Sequence, residues 1–565
     1  MKIGKIALMS GVAAMAMVAA AGAQAAGTND LSGADKPLVL AQNSASSSST
    51  MSNAELAARL QAVEDQLSAQ QERAQSDRTR LSTLEQGYNS AVWAFDNGRA
   101  TFASGDGRFT LAIRARMQAD FAGFSQDSTH PSTFGGPTDL SSGAVARRAY
   151  FGIEGKAYND FWYEVRLNAG GSDGGSFGAS GVPNAGEGDP LLNKMVITYI
   201  GIPWWHFNVG VIEPSFMMEG TTSSANLTWI ERPDLENIAA DTFGAGDSRR
   251  GIEMGWSRPD TFWAGDNTAF DVAFTGGKTG SAQNHGSVSA TPGVPTAGNG
   301  DENTQILGRV TDRLWSDGIS NFQVGMSIAS VLYSGSNGNP NGGTQTLRLR
   351  ERPEIRVDGT RLIDTGAIAA KTGDMIAFDA QGNWQNFYLE GEWAQFSVDR
   401  QCGAILVSAN PVCTSSTAVI DHPTFNGWTI GGSWIITGET KVYTPGTYIA
   451  SAVAETQAGF QAPVPSRPFS LDGASWGTWE VTARYSDTDL NWRPGQVGNN
   501  ATGIADGVRG GRQRIMALGI NWYLNRNVRM ILDDNIVSIS KGTAALPDRD
   551  SQDFNVVGLR VQFAN

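Results

Sequence analysis

The stretch "RFTLAIRARMQADFAGF", Arg108 to Phe124, decides the fold. Phe109, Leu111, Ile113, Ala115, Met117, Ala119 and Phe121 take the odd positions, and Arg114, Arg116, Gln118 and Asp120 take even ones. An extended strand sends alternate side chains to opposite faces, so one face here is apolar and the other charged. "FWYEVRLN", Phe161 to Asn168, and "TWEVTARY", Thr478 to Tyr485, repeat the pattern. The closing "DFNVVGLRVQFAN" sets Val557, Leu559, Val561 and Phe563 against Gly558, Arg560 and Gln562. A soluble sandwich alternates in the same way, so the connections must separate the two cases.

Short connections are expected at Tyr158 to Asp160, Pro203-Trp204, Trp315 to Gly318, Gln381-Gly382 and Leu524 to Asn527. Long Gly/Ser/Asn-rich connections alternate with them, at about 124 to 146, 171 to 190, 214 to 248, 276 to 303, 334 to 372, 399 to 424, 488 to 510 and 541 to 551. Short turns on one rim and long loops on the other are the arrangement of an outer-membrane barrel. The count between them gives an all-β fold, a sixteen-stranded antiparallel transmembrane β-barrel over residues 108–565, wide enough for an aqueous channel. The connection from about 438 to 475 is the misfit, being long on the short-turn rim. Trp204, Trp205, Trp315, Trp384, Trp522 and Tyr523 lie beside short turns, where interfacial aromatic girdles are expected.

The rest of the chain agrees with an exported protein. Residues 1–25 read as a signal peptide, with Lys2 and Lys5, an apolar run from Ile6 to Ala21 and the site Ala23-Gln24-Ala25. Its removal leaves 40 basic against 56 acidic side chains, which makes nucleic acid an unsuitable partner. No later segment has the roughly 20 consecutive apolar residues of a spanning helix. Cys402 and Cys413 are expected to form one disulfide, and neither a metal site nor a cofactor is implied. Residues 26–50 form a polar linker ending in "NSASSSST". Between 51 and 86, Leu56, Leu60, Val63, Leu67, Gln70, Ala74, Asp77, Leu81 and Leu84 keep the heptad steps of a short α-helical coiled coil, placed in the periplasm. A single amphipathic helix lying on another surface would show the same steps. Residues 87–107 are read as a second linker.

"TLRLRERPEIR", residues 346–356, places Arg348, Arg350, Arg352 and Arg356 on one side of an extended segment in a chain of net charge −14. Such a row recruits anions locally whatever the total charge, because salt confines each charge's reach to roughly 8–10 Å. It belongs to the fifth long loop, which can fold into the lumen. It can equally be a solvated face pairing with lipopolysaccharide phosphates or with Glu351 and Glu354.

"RARMQADF", "ARRAYFGIEGKAYNDFWY", "TSSANLTWIER" and the spacing of "RLRERPEIR" resemble the phosphate-selective porins O and P. The resemblance implies a trimeric sixteen-stranded barrel in the outer membrane, among its lipid and lipopolysaccharide, passing small anions such as phosphate. It implies a ladder of Arg348, Arg350, Arg352 and Arg356 leading to constriction arginines Arg116, Arg147 and Arg148. Strand alternation points Arg116 and Arg148 inward, and Arg147 outward unless a bulge intervenes. The family's third-loop lysines are replaced by Gly220 and Ala225, and an acidic constriction residue by Asn193, followed by Lys194, which can compensate in part. Outer-membrane barrels usually end on an aromatic, whereas Ala564 and Asn565 follow Phe563 here.

Other functions have less support. His130, His206, His285 and His422 are scattered, and "TGGKT", Thr275 to Thr279, has Val272 where a phosphate-binding loop needs glycine, so no enzymatic motif stands out. A general or sugar-type porin would share the barrel but gain nothing from the arginine row. An envelope tether would use the coiled coil for peptidoglycan contact.

Overall fold

A computed structural model describes residues 52–89, 92–96, 98–126, 140–171, 192–244, 248–278, 303–334, 345–406, 421–445, 458–494, 507–541 and 551–565. The signal segment, the 26–50 linker and Cys413 lie outside the described residues, and with Cys413 so does the expected disulfide.

Sixteen strands form the barrel. They are β1 (Thr110–Gln126), β2 (Gly143–Ala157), β3 (Phe161–Asn168), β4 (Leu192–Tyr199), β5 (Trp205–Ile212), β6 (Arg249–Pro259), β7 (Asn267–Lys278) and β8 (Thr304–Ser316). The other eight are β9 (Asn321–Tyr333), β10 (Ala367–Trp384), β11 (Phe387–Leu406), β12 (Thr424–Ile435), β13 (Thr478–Trp492), β14 (Val508–Tyr523), β15 (Val528–Ser540) and β16 (Ser551–Ala564). Every neighbour pair is antiparallel, and β16 closes on β1 from Phe554↔Gln126 to Ala564↔Arg116.

Burial distinguishes this barrel from a sandwich. On β1, Met117 and Phe121 are exposed, whereas Arg116, Gln118 and Asp120 are buried. On β16, Val557 and Val561 face out while Arg560 and Gln562 are buried. Apolar side chains outside and charged ones inside are the reverse of a water-soluble protein and suit a lipid-facing barrel with a polar interior. Trp315 and Trp384 stack 6.1 Å apart, and Trp479 and Trp522 5.1 Å apart, on this outer face near the short turns. Tyr523 departs from the expected girdle. It is buried inside, where its hydroxyl donates to Glu480 at 2.7 Å.

Two other expectations change. The turn assigned to Gln381-Gly382 lies four residues later, since Trp384 pairs with Phe387 and Gln385 takes φ 52°. Gly382 is a strand residue, where a Cβ would approach the Asn321 carbonyl to 3.0 Å, so its glycine reflects close strand packing. The stretch 87–107 is not a linker throughout. Val92–Asp96 and Arg99–Ala103 form a hairpin whose second strand pairs with β1 through Thr101↔Ala112, Phe102↔Leu111 and Ala103↔Thr110. This hairpin reaches the C-terminal residues. Arg99 donates to the Asn565 carbonyl at 2.9 Å, Asn565 Nδ2 to the Gly98 carbonyl at 3.2 Å, and the Ala115 amide to Asn565 Oδ1 at 2.7 Å.

The misfit connection, residues 436–477, carries its own hairpin, Val442–Thr444 with Gly459–Gln461. Lys441 beside it is buried, its ammonium 3.2 Å from Glu480 and donating to Thr228 Oγ1 at 2.9 Å. The described hairpin of this connection therefore turns into the lumen.

Helix α1 (Asn53–Asn89) is exposed from residue 53 to 82, including Leu56, Leu60, Val63, Leu67 and Leu81. The Glu55 amide donates to Ser52 Oγ at 3.3 Å at its start.

Candidate anion-selective constriction

The third long loop, residues 213–248, crosses the lumen because it is apolar where the strand interiors are polar. Phe216, Met217, Leu227, Trp229, Ile230, Leu235, Ile238 and Phe243 are all buried. Helices α2 (Met218–Thr221) and α3 (Asp234–Phe243) are its regular parts, and α3 ends on Gly244 in the left-handed region, φ 74°. Strand glycines make room for it. A Cβ at Gly431 would come within 2.5 Å of Trp229, and one at Gly558 within 2.7 Å of Ile355 and 2.9 Å of Ile230.

Wall groups pair with the loop's backbone, as buried amides and carbonyls require. Ser327 accepts from the Met217 amide at 3.0 Å, Glu392 from Met218 at 3.0 Å and Asp533 from Ile230 at 2.7 Å. Arg484 donates to the Glu231 carbonyl at 2.9 Å, and Asn521 to that of Thr228 at 2.8 Å. The carboxyl groups of Glu219 and Glu236 lie near those of Glu390 and Glu392 on β11. Burial, and the charge of Glu390 for Glu219, raise the pKa of both loop groups above the usual carboxylate range.

Beside this loop lies a cavity of about 590 Å³. Twelve cationic side chains line it: Arg99, Arg114, Arg116, Arg147, Arg148, Arg166, Lys194, Arg232, Arg356, Arg361, Arg526 and Arg529. Three carboxylates, Glu213, Asp241 and Glu351, share the lining.

Arg116 extends from β1 to the loop, donating to Ser224 Oγ at 2.6 Å and to Ser223 Oγ at 2.8 Å. Arg148 donates to Gln118 at 2.8 Å, and Gln118 in turn to the Ser224 carbonyl at 2.9 Å. A bulge orients Arg147. Gln118 pairs with Arg148 and Ala119 with Ala146, which leaves Arg147 as the extra residue. Consecutive arginines are thus both buried inside, at 3% and 4% exposure. Lys194 sits 3.3 Å from Glu164, and Arg166 donates to Asn193 at 2.5 Å.

Loop residue Glu231, which strand alternation could not single out, lies behind the cavity. Its Oε1 is 2.7 Å from Arg147 Nε, 2.7 Å from Arg560 and 3.7 Å from Arg148, and its Oε2 is 3.9 Å from Arg356. Burial alone would raise its pKa, but these guanidinium groups hold it well below the carboxylate range. Arg560 also grips Asp120 with two bonds of 2.7 Å. Arg99, Arg114 and Arg166 join the expected cations in the lining. For Arg114 and Arg166 the signal was present, as both fall on the inward phase of their strands.

The arginine row of the fifth loop divides. Extended pairing stops at Glu351, and Glu354 takes φ 55°, so alternation does not carry the shared face to Arg356. Arg356 lines the cavity with Arg116, Arg147, Arg148 and Lys194, whereas Arg348, Arg350 and Arg352 are not in its lining. Arg348 is exposed and paired through two bonds with Asp364, and Arg352 is buried. Glu354 turns away to accept from Arg484 at 2.7 Å and Ser486 at 2.8 Å.

The family model for phosphate-selective porin O and P matches residues 111–564. Porin O of Pseudomonas aeruginosa is 26% identical over 141 residues, which span 24% of this chain and 27% of that protein. The outer membrane channel DcaP of Acinetobacter baumannii is similar over 81% of this chain and 97% of its own, at 11% identity and a TM-score of 0.39. An anion-selective porin from Comamonas acidovorans is similar over 80% and 100%, at 13% identity and a TM-score of 0.39.

Proposed function

Because this chain belongs to the phosphate-selective porin O and P family and forms an outer-membrane porin, we propose that its barrel passes small, phosphate-like anions by passive diffusion. The observation that carries this reading is the lining of twelve cations against three carboxylates in a chain of net charge −14. In a confined lumen each charge at intermediate dielectric is worth on the order of 1 kcal/mol or more to a passing ion, and low-dielectric walls focus the field along the path. Arg116, Arg147, Arg148, Arg356 and Lys194 are the selecting groups, and Arg348 and Arg350 on the fifth loop draw anions toward them without setting the selectivity. With Gly220 and Ala225 in the third loop, phosphate is held more weakly than a lysine-bearing loop would hold it.

The exposed seam of α1 supports self-association through a periplasmic coiled coil, giving a homotrimer.

Reversal potential under a salt gradient, with phosphate block of the chloride current, tests the reading on purified protein in planar bilayers. The wild type should be anion-selective. R116A and R148A should each lower the anion-to-cation permeability ratio about fivefold, the effect of about 1 kcal/mol. Cation selectivity in the wild type would overturn the proposal.

A further inference from the structure

The same cavity has a second kind of surface. Val442 and Val464 line it and stay 44% and 41% exposed, with Ala462 and Pro463 joining them in the lining. Their placement is fixed by groups already described. Val442 pairs with Gln461 across the lumenal hairpin, buried Lys441 anchors its first strand, and Asn226 of the third loop hydrogen-bonds Gln461. On the loop side, Gly220 and Ala225 leave space and add no charge.

Half-exposed aliphatic side chains give a hydrated inorganic ion nothing, because an ion keeps its water and covers no hydrocarbon. They stabilise a ligand that brings hydrocarbon of its own while its anionic head pairs with guanidinium. Ligand sites combine these features in general, an apolar surface with a few convergent polar groups. Deepening the anion-channel reading and resting on it, we propose that the cavity binds amphipathic organic anions, carboxylates carried on a small hydrocarbon body. The carboxylate meets the arginine lining, and the body covers Val442 and Val464.

Acetate and benzoate share a charged head and differ in the body, so comparing them isolates the apolar surface. The full-length protein in planar bilayers should have its chloride current half-blocked by benzoate at about one-tenth the acetate concentration. V442S/V464S should bring the two blockers within about twofold, leaving acetate block and reversal potential unchanged. V464S alone should close part of the gap should the double variant not assemble. Inorganic phosphate should compete with benzoate, placing both in one cavity. Equal block of the wild type by acetate and benzoate, with an anion-selective reversal potential, would overturn this inference and leave the channel reading intact. A benzoate preference that survives the valine exchanges would overturn it as well. A cation-selective reversal potential would instead remove the channel reading on which it rests.

Discussion

Glu231 shows how a single carboxylate tempers a cationic constriction. It holds Arg147 and Arg560 at 2.7 Å each, with Arg148 and Arg356 at 3.7 and 3.9 Å, so part of their charge is spent inside the protein. E231Q should release that charge to the lumen. Phosphate block should tighten by several-fold while single-channel conductance falls, since an ion held longer leaves more slowly. The unfolding temperature should fall too, because removing one partner leaves buried guanidinium groups uncompensated. At the arginine row the structure separates residues that spacing had grouped. R348A, at a side chain exposed and paired with Asp364, should leave the reversal potential nearly unchanged, whereas R356A should move it toward cations; both are read from the same salt-gradient recordings. Lys441 offers a purely structural contrast. K441M strands Glu480 in the interior and should cost about 3–5 kcal/mol in denaturant unfolding, recovered in part by adding E480Q.

The third loop is the element on which the pore depends, and its seating is linked to protons. Buried beside Glu354, Asp234 has its pKa pushed up to about 7, and burial raises Glu219 and Glu236 above the usual carboxylate range. A carboxyl group whose folded pKa is raised binds protons on folding. Stability is therefore greatest below the unfolded value near 4 and declines as pH rises toward the folded value. For Asp234 that window runs from about 4 to about 7. Current fluctuations should increase between pH 5 and pH 8. E236Q, which removes one of these raised carboxyl groups while its amide oxygen can still accept from the Glu219 and Gly220 amides, should reduce that increase in single-channel records. None of this was visible in the sequence. Strand periodicity yielded the barrel, its sixteen strands and the inward arginines, because alternation depends only on the neighbouring residues. Arg147 turned inward through a bulge, the hairpin of the 436–477 connection entered the lumen, and Glu231 met Arg147 across 84 residues and Arg560 across 329; a local pattern records none of these. Gly382 misled for the same reason, since a turn and a close strand approach both select glycine.

Across the whole molecule, charge is arranged against its own total. A net −14 chain concentrates cations in one cavity and leaves apolar side chains to face lipid, so the sign of that cavity differs from the sign of the protein. Deleting residues 51–86 should leave the reversal potential of each pore unchanged while lowering the mass of the assembled species in native mass measurement, if α1 supplies the association seam. The meeting of Gly98 and Arg99 with Asn565 carries one more consequence. These contacts straddle the β1–β16 join, so they can form only once the first and last strands have found each other. The hairpin then behaves as a latch on a finished cylinder, and its resistance to proteolysis becomes a clock for the moment of sealing. Trimming the chain after Phe563 would leave nearly every strand pairing in place and stop that clock.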